Sequence, residues 1–358
     1  MTRLVLHQFT EAASVGDATT DQVFLIRQWL RKMGFHSEIY AEHCAEALEK
    51  EVRPAHSYRG SANEPYLIYH HATGATIVER LVALGIPLIL IYHNVTPPEF
   101  FAGSDPLLVR LMHKGRAQLD QLRPLTTLAL GASHYSEQEL QARDFTRTGV
   151  LPIVLNPALY DIPPNETLLA ECRRNGPTLL FVGRIAPNKR QEDLLKLLYY
   201  YRRINPGARL ILVGSAHFQD YREWLEQLAI ELELSEALTI TGHVSHQDMV
   251  TYFRGADLYV SMSEHEGFGK PLIESMYLGL PVIAYAAAAV PLTMGNAGIL
   301  FHQKNYEALA EVIDILSQQN DLRQRIIARQ RGRVHLFLEP TVQQEWQTIL
   351  LALGFNLG

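Results

Sequence analysis

The sequence predicts an α/β protein built from two Rossmann-like units, each a parallel sheet flanked by helices. Three observations predict it. With 358 residues, 47% hydrophobic and 20% charged, the chain exceeds one ordinary core and suits two domains of about 150 to 180 residues each. Short apolar runs alternate with longer segments of helical period, the pattern of parallel strands joined by crossover helices. That alternation restarts after the proline-containing segment DIPPNE at 161–166, which marks the expected domain boundary.

In the first half, strands are expected at 3–7 (RLVLH), 37–41 (SEIYA), 66–70 (YLIYH), 87–92 (PLILIY), 127–133 (TLALGAS) and 150–155 (VLPIVL), each ending in polar or glycine residues. In the second half they are expected at 178–183, 209–214, 237–242, 258–263, 281–285 and 298–301. The expected domains are 1–160 and 161–338, followed by an amphipathic helix within 339–358. Ligands of doubly wound sheets bind beyond the carboxyl ends of the strands, so residues just after each strand are the candidates for function. Two such units facing each other would enclose a central cleft.

A net charge of −6 argues against a nucleic-acid partner. The two cysteines, Cys44 and Cys172, lie far apart without His or Cys at ligand spacing, so neither a disulfide framework nor a zinc site is expected. The apolar part of MTRLVLHQFTEAASVGD is too short for a signal peptide, and no run approaches the roughly 18 apolar residues of a membrane span. A cytoplasmic location is expected.

Two stretches carry the candidate chemistry. In SEHEGFGKPLIES, 263–275, a strand leads into a Gly-Phe-Gly turn and then a helix with Pro271 in its first turn, running to Gly279. The N–H groups of Gly267, Phe268, Gly269 and Lys270 would face an anion or sugar hydroxyls. Glu266 lies above the strand and Glu274 one helical turn in, and a carboxylate accepts from both hydroxyls of a vicinal diol. A solvated loop carboxylate with a helix-start glutamate is the plainer reading of an isolated pair, and the intervening glycines weigh against it. In FVGRIAPNKRQEDLL, 181–195, Gly183 ends a strand, and Arg184 and Lys189 at the two ends of a short loop can both point at one diphosphate.

Together these stretches resemble the retaining GT-B glycosyltransferases of family 4. The resemblance rests on GR-x4-K at Gly183, Arg184 and Lys189, E-x7-E at Glu266 and Glu274, GxPVIA at 279–284 and NAGILF at 296–301. It implies a fold of two Rossmann-like domains facing a central cleft, with the last helix packing back on the N-terminal domain. It also implies that Arg184 and Lys189 bind the donor diphosphate, Gly183 allows its approach, and Glu274 holds the ribose hydroxyls. Glu266, with the backbone of Gly267 and Phe268, would hold the transferred sugar, and His243 and Val244 of GHVSHQDM would meet the base. Ser245 is expected to cap the helix that follows.

The amino-terminal half matches less tightly. The loop EAASVGDAT, 11–19, resembles the glycine-containing loop over the donor phosphates, with the single Gly16 where many relatives have two. His93, after the strand PLILIY, resembles in position the histidine that members of the family keep beside the reacting sugar, and the resemblance implies that role for it. His71 is a weaker candidate, and His70 is expected to face the core. Asn94 and Thr96 are candidate acceptor contacts, as are Ser133 and Tyr135, with Ser136 expected to cap a helix.

No Asp-x-Asp stands at a strand end, so Arg184, Lys189 and backbone N–H groups are expected to neutralise the leaving group without a metal or other cofactor. The resemblance implies retention, with Glu266 positioning the sugar rather than attacking it. The expected co-substrate is a nucleotide sugar of the UDP-glucose or GDP-mannose type. The segments HNVTPPEFF and AYAAAAVP resemble those of bacterial surface-polysaccharide enzymes, which points to a glycan or lipid-linked acceptor. Two basic helical stretches, 107–123 and 322–333, would allow peripheral contact with the inner face of the plasma membrane, although solvated crossover helices are the plainer reading. A sugar-nucleotide epimerase and a non-catalytic nucleotide-sugar-binding module are the alternatives.

Overall fold

The computed structural model describes residues 4–60, 64–174 and 176–357. The chain forms two compact units. Met1–Ala102, Pro106–Val154 and Glu339–Gly358 make the first, and Gly103–Asp105 with Leu155–Leu338 make the second. Both sheets are parallel throughout.

The first unit runs β1 (Gln8–Ala13), α1 (Ala18–Lys32), β2 (Ile39–Cys44), β3 (Val52–Pro54), β4 (Leu67–His71), α2 (Ile77–Leu84), β5 (Leu88–Tyr92), α3 (Pro106–Leu122), β6 (Thr126–Gly131), α4 (His134–Gln141) and β7 (Thr148–Val150). Its strand order is β3-β2-β1-β4-β5-β6-β7. The second unit runs α5 (Glu166–Cys172), β8 (Thr178–Val182), α6 (Gln191–Ile204), β9 (Arg209–Val213), α7 (Gln219–Glu231), β10 (Leu238–Gly242), α8 (His246–Gly255), β11 (Leu258–Ser261) and α9 (Lys270–Tyr277). It continues through β12 (Val282–Tyr285), α10 (Val290–Met294), β13 (Ile299–Phe301), α11 (Tyr306–Gln318) and α12 (Asn320–Val334). The order here is β10-β9-β8-β11-β12-β13. Each sheet therefore has the doubly wound order whose direction reverses between its first and fourth core strands.

Strands such as LILIY and TLLFV are buried on both faces, which is why they read as nearly continuous apolar runs rather than alternating ones. The final helix, α13 (Glu339–Ala352), belongs to the first unit. Its Val342, Trp346 and Leu350 are fully buried in one cluster with Ile26, Trp29 and Leu30, and Trp29 Nε1 donates to Glu339 Oε1 at 3.0 Å. Gly358 lies outside the described residues.

Several expectations need correction. The first strand was expected at 3–7, of which Arg3 lies outside the described residues. The continuous ladder instead opens at Gln8↔Ile39, and Val5 makes only an isolated bridge to His36. The true strand is hard to see because Gln8, Thr10 and Glu11 are polar yet buried. Glu11 to Ala13 of the expected phosphate loop are consequently strand, and the loop is Ser14 to Asp17, with Asp17 capping α1. The sixth strand is three residues at 148–150 rather than 150–155, and β3 is an edge strand ending in proline, without an apolar run to announce it. The units divide after Val154, ahead of 160, because Leu155 bridges Leu338 and Arg254 holds the carbonyls of Tyr160 and Ile162.

The basic stretches fall on α3 and α12. Lys114 pairs with Glu79 at 3.0 Å, Arg116 with Glu139 at 3.0 Å and Arg323 with Asp257 at 3.7 Å, and Arg333 donates to the carbonyls of Leu292 and Thr293. Much of their charge is thus committed within each unit. No helix among the described residues is long and apolar enough to cross a membrane.

Candidate functional site

In the second unit β8 and β11 are neighbours, while their crossovers leave toward β9 and β12 on opposite sides. The two loops therefore open side by side at the reversal of strand order, where doubly wound sheets place ligands. The first begins at Gly183, whose N–H donates to Val213 O at 2.9 Å. Its carbonyl is packed so closely on Gly214 that a Cβ there would lie 2.1 Å from Gly183 O, on a backbone at φ +148°. A Gly214→Ala variant must displace the Gly183–Arg184 backbone. It is expected to lose roughly 2 kcal/mol or more of stability and weaken nucleotide binding, measured by chemical denaturation and ligand titration.

Lys189 ends a 3-10 turn, Pro187–Lys189, and Arg190 turns left-handed at φ 52° to start α6. Buried Asn188 clamps this turn onto the β11 loop. Its Nδ2 donates to His265 O at 3.1 Å, and its carbonyl accepts from Glu264 N–H at 2.9 Å. The clamp brings Lys189 Nζ to 2.7 Å from Glu266 Oε2, with both side chains mostly buried. Glu266 Oε1 has no hydrogen-bond partner among the described residues. Arg184 is exposed at the same strand end and has no ion-pair partner among the described residues.

A second charged layer supports the first. Lys304 bridges Asp193 at 2.7 Å and Glu264 at 2.8 Å, and Arg190 adds 2.7 Å to Glu264. Burial opposes ionisation of Asp193 and Glu264, but hydrogen bonds from Lys304, with Tyr306 and Lys196 at Asp193 and Arg190 at Glu264, outweigh it and hold both carboxyls below their usual range.

The Gly-Phe-Gly turn feeds α9. Gly269 caps the helix at φ 87°, and a Cβ there would meet Leu272 Cδ1 at 2.7 Å. The Phe268 ring is buried edge-on against Phe337, and its carbonyl accepts from Thr293 Oγ1 at 2.6 Å, so this residue offers backbone while its side chain anchors the turn. Glu274 is buried, and Tyr160 donates its hydroxyl to Glu274 Oε1 at 2.5 Å. After β10, His243 is exposed and half-buried Val244 edges a 250 Å³ recess with Asn165, Asp248 and Tyr252. Ser245 accepts from Asp248 N–H and caps α8.

In the first unit, His93 follows β5 and its ring meets that of His70, Nε2 to Nδ1 at 3.0 Å. Hydrogen-bond logic fixes the protons. Gln8 Nε2 donates to Val23 O at 3.1 Å, so Gln8 Oε1 must accept, and His70 Nε2 donates to it at 3.0 Å. Neutral His70 then accepts at Nδ1 from His93 Nε2–H. That leaves His93 Nδ1 a bare lone pair with no partner among the described residues. Burial lowers His93 and His71 to about 4 and His70 well below its ordinary value. In an NMR titration these three imidazoles are expected to stay neutral from pH 8 to pH 5. Protonation of any of them near 6.5 would contradict the geometry.

His70 is buried as expected, but so is His71, spent on Gly115 O at 2.8 Å and Tyr69 OH at 3.2 Å. Asn94, left-handed at φ 76°, commits its Nδ2 to Ser136 Oγ and Glu139 Oε2. The capping residue of α4 is Ser133, which accepts from Ser136 N–H at 3.1 Å, and not Ser136 as expected, because the helix begins three residues earlier than that cap would allow, at His134. Ser136 instead joins Asn94 to Ser133. Thr96 and Tyr135 are half-buried, and Gly16 is exposed at φ 77°.

The structure thus gathers Arg184, Lys189, Glu266 and the α9 turn in one unit, and His93, Asn94 and Ser133 in the other. Sequence reasoning missed Gln8, Asn188 and Tyr160. Asn188 sits inside the GR-x4-K loop, where its lack of charge hid it, and Tyr160 lies in a stretch that reads as linker.

Comparison with known proteins bears on the fold and on the second unit. Residues 171–333 match the family model described as glycosyl transferases group 1. The chain is similar to the D-inositol 3-phosphate glycosyltransferase of Mycobacterium bovis, 34% identical over 236 residues, covering 65% of this chain and 39% of that protein. The enzyme of the same name from Stackebrandtia nassauensis is 28% identical over 202 residues, covering 53% of this chain and 45% of that protein. The matches therefore span less than half of these relatives' length. Among solved structures, Anabaena HepE in complex with UDP and glucose superposes with a TM-score of 0.74 at 19% identity, over 97% of this chain and 99% of that one. WaaG, a glycosyltransferase involved in lipopolysaccharide biosynthesis, does so with 0.71 at 16% identity, over 96% and 99%. The two doubly wound sheets are those of the GT-B fold, and residues 171–333, somewhat under half of the chain, are similar to the group 1 glycosyl transferases.

Proposed function

We propose that this chain is a retaining glycosyltransferase that moves a hexose from a nucleotide-diphosphate sugar, of the UDP-glucose or GDP-mannose type, to a glycan or lipid-linked saccharide. The observation that carries the reading is the meeting of Lys189 and Glu266 at 2.7 Å, in the unit whose strand ends also carry the exposed Arg184, without an ion-pair partner among the described residues, and the glycine turn of α9. Cations for a diphosphate and a carboxylate for sugar hydroxyls are thereby side by side at the switch point of one sheet.

In the proposed reaction the bond from the anomeric carbon to the diphosphate oxygen breaks. The acceptor oxygen bonds to that carbon on the same face, and its proton passes to the leaving diphosphate. Arg184, Lys189 and the N–H groups of Gly267 to Lys270 neutralise the departing charge, so no metal is required. Glu266 and the Gly267–Phe268 backbone hold the hexose, Glu274 the ribose, and His243 and Val244 the base. His93, with its free Nδ1, is proposed to serve the sugar, and Gly16 the phosphates. Thr96, Tyr135, Ser133 and Asn94 are assigned to the acceptor side, and the buried His71 is left out of it. The UDP and glucose of the HepE structure support a UDP-glucose donor. The role of WaaG in lipopolysaccharide biosynthesis supports a glycan or lipid-linked saccharide as acceptor.

The test is a thermal-shift panel of UDP, GDP and ADP with their hexose conjugates. A ligand at a hundredfold its dissociation constant adds about 2.7 kcal/mol to the folded state. One base is expected to respond, and its hexose conjugate to respond more strongly. Silence from all nucleotides would remove the Arg184 and Lys189 phosphate site. Donor consumption without any acceptor would favour the epimerase.

A further inference from the structure

We propose that Tyr160 is a positioning residue that aims Glu274 at the ribose of the donor, an inference that rests on the glycosyltransferase reading above. Glu274 lies on α9 and is 3% exposed, so its carboxylate cannot find its own orientation by exchanging with water. A buried carboxylate without a donor would pay a desolvation cost and turn toward whatever donor it met.

The donor is supplied from outside the Rossmann elements. Tyr160 ends a short turn, Pro157–Leu159, and is 1% exposed, with its hydroxyl 2.5 Å from Glu274 Oε1. Its backbone is fixed from α8. Arg254 Nη2 donates to Tyr160 O at 2.7 Å, and His246 Nε2 donates to Leu159 O at 2.6 Å. Its ring packs edge-on against His246 and Tyr277. Backbone and ring are both held, so the direction of the O–H is held too.

The consequence is a division of labour within one carboxylate. Oε1 takes the Tyr160 hydrogen bond and lies 4.0 Å from Lys270 Nζ. Oε2 has no hydrogen-bond partner among the described residues. With one oxygen anchored, the lone pairs of the other are fixed in direction before the ligand arrives. A vicinal diol then pays no reorganisation of the carboxylate, which is how a pre-organised group adds affinity. An unanchored Glu274 would rotate and lose the preference for ribose over a sugar lacking its hydroxyls.

The experiment compares a nucleoside diphosphate with its 2′,3′-dideoxy counterpart, by titration on the full chain. Tyr160→Phe keeps the ring and removes only the O–H. Wild type is expected to bind the ribose form at least tenfold more tightly, and Tyr160→Phe to shrink that preference to about threefold or less while leaving dideoxy affinity unchanged. A Glu274→Gln variant should lose the preference as well, and adding Tyr160→Phe to it should change nothing further. Equal weakening of both ligands, or an unchanged preference, would overturn the assignment and leave Tyr160 a packing residue. If Tyr160→Phe does not fold, Tyr160→His, whose ring N–H restores a donor, is expected to retain part of the preference, and complete loss there would overturn it. Failure of the wild type to bind any nucleotide would instead defeat the functional reading on which the inference stands.

Discussion

Replacing Glu266 by alanine is expected to lower turnover by roughly 10² to 10³-fold, the scale of removing one charge-stabilising group from an active site, with little loss of affinity for the nucleoside diphosphate. The structure gives the second half of that expectation its reason. Glu266 Oε2 pairs with Lys189 Nζ at 2.7 Å, so deleting the carboxylate releases an ammonium toward the phosphate it is proposed to bind. Lys189→Ala should act differently. It removes the cation and leaves Glu266 without its partner, so both nucleotide affinity and turnover are expected to fall. Steady-state turnover of the responding hexose conjugate, together with nucleotide titration, separates the two variants. A Glu266→Ala protein that kept a near wild-type rate would place the chemistry elsewhere, and one that lost nucleotide affinity tenfold would make Glu266 part of the phosphate site.

The second large effect concerns stability. Trp346→Ala is expected to destabilise the first unit by about 3 to 5 kcal/mol, the range for deleting a large buried aromatic side chain. Trp346 has no exposed surface and shares its cluster with Trp29, Ile26, Leu30, Val342 and Leu350, two of which lie on α13 itself. A loss of that size is a large share of the 5 to 15 kcal/mol that typically separates folded from unfolded domains. Deleting 339–358 removes the whole apolar face and should leave the first unit unable to fold. Nucleotide binding, assigned to the second unit except for Gly16, should survive Trp346→Ala well below the shifted transition, where the first unit is still folded. Equal midpoints for the variant and wild type by calorimetry would show that α13 is dispensable to that core.

Much of the fold was legible because its signals are local. Five of the six strands in the second unit begin and end within a residue of the apolar runs that announce them, and in β8 and β9 nearly every residue is buried, so little polar sequence interrupts the run. Where the interior is polar the signal fails. β1 hides behind Gln8, Thr10 and Glu11, and the hydrogen bonds that make those residues tolerable, such as Gln8 with Val23 and His70, come from other elements. Ser133 and Ser136 are both good capping residues, and only the backbone of Ser133, extended at φ −151°, decides between them.

The candidate site divides in the same way. Gly183, Arg184, Lys189, Glu266 and Glu274 are visible in the sequence because each group sits within one strand-turn-helix, where spacing and turn chemistry act over a few residues. That Lys189 meets Glu266, 77 positions away, follows from the pairing of β8 with β11, and strand order is a property of the packed sheet. Asn188, which clamps the two loops, and Tyr160, 114 positions from the Glu274 it touches, have no local signature at all. The order of strands and helices and the chemistry offered at each strand end are written locally in the chain, because they depend on short-range periodicity and backbone preference. Which ends adjoin and which polar groups orient them is set by the packing, because buried hydrogen bonds between distant segments exist only once the sheets have formed.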